Sequence, residues 1–153
     1  MIRIQKFFLI CLLLVGTVFE ACAETNSSGL TLSYEKPHWL IISHQEIPQG
    51  QIRINYLEAY CRAGSTESDW IEHTVIPHRA ELVSTSNDGK IIRLRDTLSD
   101  GVTVDHTITA SSDEVFFKIV ATNPTLVRSE AHWAQPCIRL GNFTGYPNSG
   151  GDL

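Results

Sequence analysis

Beyond about residue 24, hydrophobic and polar residues alternate with period two along nearly the whole chain. Leu30, Leu32 and Tyr34 alternate with Thr31 and Ser33, and Ile52, Ile54 and Tyr56 alternate with Arg53 and Asn55. The alternation sharpens in the middle of the chain. There Ile92, Leu94 and Leu98 share one face, opposite Arg93, Arg95 and Thr97. Ser99-Asp100-Gly101 follows, and then Val102, Val104, His106, Ile108 and Ala110 alternate with Thr103, Asp105, Thr107 and Thr109. Successive side chains of a strand point to opposite faces, so each run predicts a half-buried strand, and the Gly-containing turn joins two of them into a hairpin. Asn87-Asp88-Gly89 predicts a second hairpin turn. Val115 to Thr122 (VFFKIVAT) is apolar on both faces, which predicts a strand lying centrally between layers. No window carries a capped apolar stripe of period 3.6, so helix is expected to be nearly absent after residue 24. The expected fold is all-β: one antiparallel β-sandwich spanning residues 24–141.

The two ends break the pattern. Arg3 and Lys6 precede an apolar run from Phe7 to Phe19, and Ala21-Cys22-Ala23 forms a small-x-small site before Glu24. This is the layout of a secretory signal peptide, here residues 1–23, with a signal helix too short for the roughly 20 residues of a bilayer span. The expected location is secreted or periplasmic, with no stable membrane span after cleavage. The alternative is a lipoprotein anchored through Cys22. At the other end, residues 142–153 (NFTGYPNSGGDL) are rich in Gly and Asn with almost no core material, and a disordered tail is expected there.

Composition narrows the picture further. Without Arg3, Lys6 and Glu20, the 12 basic and 17 acidic residues become 10 and 16, a net charge near −6 with neutral histidine. An acidic chain with no Lys/Arg cluster lacks the clustered cations that grip phosphate backbones, so no nucleic-acid partner is expected. Cys61 and Cys137 are the thiols left after processing, and in an oxidising compartment they either pair or stay as two free thiols. A bridge between them would stabilise by about 4–5 kcal/mol on the chain-entropy view.

Candidate chemistry starts with the histidines at positions 38, 44, 73, 78, 106 and 132. Their spacings include no His-x-His pair and no His-Glu-x-x-His, and no Cys-x-x-Cys occurs, so no metal site and no cofactor are expected. His106 falls on the apolar face of its strand and reads as a core histidine bonded to a neighbour. Glu72-His73 and Pro77-His78-Arg79 bracket the strand-like Thr74-Val75-Ile76. The densest cluster is Glu130-Ala131-His132-Trp133-Ala134-Gln135-Pro136. An indole offers a flat platform for the C–H face of a sugar, Glu130 and Gln135 match hydroxyls, and His132 can move a proton near neutral pH. The other reading of the cluster is a core tryptophan beside polar edge residues. Trp39 and Trp70 are further platforms or core residues. No Gly-x-Ser-x-Gly elbow, P-loop or Rossmann glycine pattern is present, which argues against serine hydrolase and nucleotide chemistry.

The stretch Val102–Ala110, Val115–Asn123-Pro124 and His132-Trp133-Ala134-Gln135 running to Leu140-Gly141 resembles part of the galactose-mutarotase-like β-supersandwich family. The chain as a whole resembles exported bacterial proteins of planctomycete type. The family resemblance implies a supersandwich-like fold, partial at this length, a carbohydrate partner, and His132 in the place of the histidine that handles the sugar's proton. The family's partner carboxylate would come from a later strand, so the resemblance also implies a truncated member. The two classes left open are carbohydrate binding or mutarotase-like processing at His132, Trp133, Glu130 and Gln135, and a non-catalytic exported structural, adhesion or interaction domain.

Overall fold

The computed structural model describes residues 29–64 and 69–139, and the expected signal peptide and C-terminal tail lie outside these residues. Among the described residues nine strands form two antiparallel sheets that pack face to face. The first sheet contains β1 (Thr31–Glu35), β2 (Trp39–Ser43), β3 (Gln51–Arg62), β4 (Val75–Ile76) and β9 (Ala131–Arg139). The second contains β5 (His78–Thr85), β6 (Ile91–Leu98), β7 (Thr103–Ala110) and β8 (Val115–Thr122), in that order. Among the described residues the only helical pieces are a 3-10 turn at Pro48–Gly50 and a π turn at Trp70–Thr74. No helix among them is long and apolar enough to cross a membrane.

The alternation read from sequence produces the core. Leu32, Leu40, Ile42, Ile54 and Ile76 from the first sheet meet Ile92, Leu94, Leu98, Val104 and Ile108 from the second. Each of these residues is buried because period-two side chains of both sheets interdigitate on their facing sides. Both expected turns form. Gly89 and Gly101 take φ values of +67° and +90°, which a residue without a Cβ adopts freely. Pro77 sits where the chain passes from β4 to β5, that is, from one sheet to the other, and the missing N–H removes no ladder bond at that corner.

Strand β3 organises the first sheet. Residues 51–55 pair with β2 and residues 60–61 with β4, while β9 runs along its opposite edge from Arg53–Arg139 to Arg62–Ala131. Its register against β9 shifts between Asn55 and Ala59, and Leu57 within that stretch has φ +53°. A buried leucine in the left-handed region marks a bulge held by its surroundings.

One expectation needs correction. Strand β8 is not central. Among the described residues it pairs with β7 alone and lies at the edge of its sheet, with Phe116, Ile119 and Val120 exposed. Two apolar faces showed that both sides of the strand want partners, which is not the same as having them. Of the two states left open for the cysteines, the structure has both thiols free. Cys61 lies opposite Trp133 and Cys137 opposite Asn55, so the β3–β9 register separates them along the ladder. Adjacent strands bring cysteines within bridging distance only when they are close to opposite one another.

Candidate functional site

The largest polar feature of the core is built by the β3 bulge. Tyr56 and Tyr60 flank it and both reach His106 of β7, at 3.2 Å to Nδ1 and 3.2 Å to Nε2. The Tyr60 hydroxyl donates to Asp96 Oδ2 at 2.6 Å, and His106 Nε2 lies 3.3 Å from the same oxygen. Since Tyr60 spends its proton on Asp96, its oxygen accepts from His106. Nε2 therefore carries a hydrogen on the side of Tyr60 and Asp96, while the Tyr56 hydroxyl contacts Nδ1. Burial alone would raise the Asp96 carboxyl. Hydrogen bonds from His106 and Tyr60 and nearby imidazole charge outweigh burial and hold it below the ordinary range. Burial, with Asp96 adding to it, pushes both tyrosine hydroxyls well above their usual value. Asp96 and His106 are both buried, so the network joins the sheets and offers no open reacting group. The sequence signal was there: Asp96 occupies the same phase as Ile92, Leu94 and Leu98, an acid in a core register that needed a partner.

Beside this network lies a cleft of about 740 Å³ between the β1–β2 turn and β5, lined by Tyr34, Lys36, His38, His78, Arg79 and Glu81 among others. His38 and His78 face each other with ring centroids 5.6 Å apart, and His78 meets the edge of Tyr60 at 5.0 Å. Burial lowers the His78 imidazole, against the pull of Asp96 and of the Ile76 and Leu57 carbonyls. The ring is therefore held toward its neutral form.

The sequence-nominated cluster sits at the other end of β3. A groove of about 430 Å³ is lined by Arg62, Ala63, His73, Arg128, Ser129, Glu130, Ala131 and His132. Arg62 ties it together: Nε donates to Glu130 Oε2 at 2.7 Å, and Nη1 donates to the carbonyls of His73 and Val75 at 2.8 and 2.9 Å. The β3–β9 register shifts between Cys61 and Arg62, which leaves His132 as the extra residue of β9 at the groove.

Trp133 falls opposite Cys61 and Gln135 opposite Ala59, both on the face of the sheet turned away from the core. There Trp133 is 39% exposed and packs against Trp70 with centroids 6.4 Å apart. The structure thus brings Glu130 and His132 together with His73, and sets Trp133 apart against Trp70 and Gln135 opposite Ala59. Trp39 is not a bare platform, because the guanidinium groups of Arg53 and Arg139 lie over its ring at 5.0 and 5.9 Å. Sequence reasoning missed Arg62 and Arg128 and did not join the candidate His73 to this cluster, since only the π turn and the β9 register place them beside His132. No group of three or more metal-ligating side chains occurs among the described residues.

Compared with family models, with curated proteins and with solved structures, the chain matches none.

Proposed function

We propose that this chain is an exported β-sandwich that binds carbohydrate at the junction of the π turn and β9. One observation carries the reading: the same two elements build both an aromatic pair and a polar groove. The π turn supplies Trp70 and His73, and β9 supplies Trp133 and His132. The exposed indole of Trp133 offers a stacking surface for a sugar ring, and the groove beside the same two elements offers imidazole, hydroxyl and guanidinium groups to sugar hydroxyls, the kinds of group that sugar recognition uses. The mutarotase-like resemblance agrees in ligand class and in the nomination of His132.

Binding without turnover is the expected outcome. Sugar acid–base chemistry uses two placed groups, and Glu130, the carboxylate of this groove, is already paired with Arg62. Glycan-array screening followed by calorimetry on the best hit tests the reading. Trp133→Ala should weaken binding by about tenfold or more, the equivalent of about 1.4 kcal/mol, and His132→Ala by less. Wild-type affinity in both variants, or no glycan retained by the wild-type chain, would show that the cluster is structural. The second reading, a non-catalytic interaction domain, is favoured by one feature, the exposed apolar edge of β8.

A further inference from the structure

Among the described residues five strands have an open edge: β4 is only two residues long, and three of the other four are guarded. Strand β1 is short and ends at Glu35, before Lys36-Pro37. β5 carries Arg79 and Glu81 and a register irregularity between Leu82 and Ser84. β9 contains Pro136 and two irregularities. Charges, prolines and bulges are the devices that keep an edge from accepting another strand. β8 has none beyond Lys118. It pairs with β7 in eight consecutive steps without a shift, and it exposes Phe116 (64%), Ile119 (51%) and Val120 (46%) on its two faces.

The hydrogen-bonding phase of this edge follows from the ladder. Ala110 N–H donates to Lys90 and Ser111 N–H to Glu114, so Ala110 and its partner Val115 do not bond each other. By alternation Phe117, Ile119 and Ala121 turn their N–H and C=O groups to the open side, while Lys118 and Val120 bond β7.

We propose that a second copy of this chain pairs with that edge, antiparallel about a twofold axis at Ile119. The side-chain pattern selects this occupant and this register. Only shifts that keep core face beside core face are acceptable, because a one-residue slip would turn Ile119 away from the second copy's core. With Ile119 opposite Ile119, Phe117 meets Ala121 and Phe116 meets Thr122, large against small on each face. Lys118 then meets Val120. A shift of the axis to Lys118 sets two lysines face to face, and a shift to Val120 shortens the pairing. The strand is self-complementary in size and charge in one register, as an isologous contact requires. The result is one continuous sheet across both copies, covering the core-facing Ile119 on each.

Sedimentation equilibrium of the chain from about 1 to 100 µM should show a monomer–dimer equilibrium. Ile119→Lys should weaken it by about tenfold or more, as like charges meet at the axis, while Val83→Lys on guarded β5 should leave it unchanged. Amide exchange of the wild-type chain provides a readout that needs no variant. Phe117, Ile119 and Ala121 should be protected in the concentrated sample and exchange fast on dilution, with Lys118 and Val120 protected in both. A chain that stays monomeric across the range, a dimer that survives Ile119→Lys, or fast Ile119 exchange at the highest concentration would each overturn the proposal.

Discussion

At the residue scale, the Asp96–Tyr60–His106–Tyr56 network is the most consequential feature of the core, since a buried carboxylate is tolerated only while its bonds are made. Asp96→Ala leaves the buried Tyr60 hydroxyl without its acceptor and takes the carboxylate away from His106 Nε2, and should cost about 2–4 kcal/mol in urea unfolding, with Asp96→Asn costing less. Acid acts through the same group. The folded carboxyl lies below its unfolded value, so its stabilisation is present above about pH 4 and is lost as pH falls through the folded value. His78 works in a separate window. Its folded imidazole is lowered by burial, so the unfolded chain takes up the proton first and stability declines as pH drops below about 6.5. Melting curves from pH 8 to pH 3 should show two declines, the upper one absent in His78→Gln and the lower one reduced in Asp96→Asn. A single decline unaffected by either substitution would contradict this assignment.

At the scale of elements, the β6–β7 hairpin shows how far local chemistry reaches. Asp100 Oδ1 accepts from Val102 N–H at 3.1 Å, and Asp100 also bonds Ser129 from the β8–β9 connection. Gly101 sits at φ +90°, and a Cβ there would lie 3.4 Å from Thr125 Cγ2. Gly101→Ala should therefore destabilise by about 1 kcal/mol or more, from the left-handed backbone and from crowding of the same connection. A change below a few tenths of a kcal/mol would show that the turn relaxes without strain. The strands on either side were legible because each is amphipathic, and one buried face imposes one register. VFFKIVAT was misread for a related reason. Its pattern states what both faces would prefer to touch and is silent on how many neighbours the sheet provides.

On the scale of the whole molecule, two sheets close over one core, and the long register of β3 against β9 decides which distant residues meet. That register keeps the thiols apart. In a chain beginning at Glu24, alkylation of native protein should label Cys137 first. Burial hides Cys61 and raises its thiol, so it should label only after unfolding. A Cys61–Cys137 linked peptide in oxidised, folded protein would refute the register.

Period-two hydrophobicity and turn chemistry determined the strands β1, β3, β6 and β7, both hairpin turns, the near absence of helix and the core position of His106, because those depend on neighbours a few residues apart. The nomination of Glu130, His132, Trp133 and Gln135 was likewise a local reading of side-chain chemistry. The tertiary structure alone decided that Glu130 is bound to Arg62, that His132 shares a groove with His73, and that Trp133 packs on Trp70 while Gln135 falls opposite Ala59. It alone set β8 at an edge and Tyr60 on Asp96. Each of these depends on the register between strands far apart in sequence, including the bulges at Leu57 and His132. A shift of one residue there moves a side chain from one face to the other, and no local pattern records it.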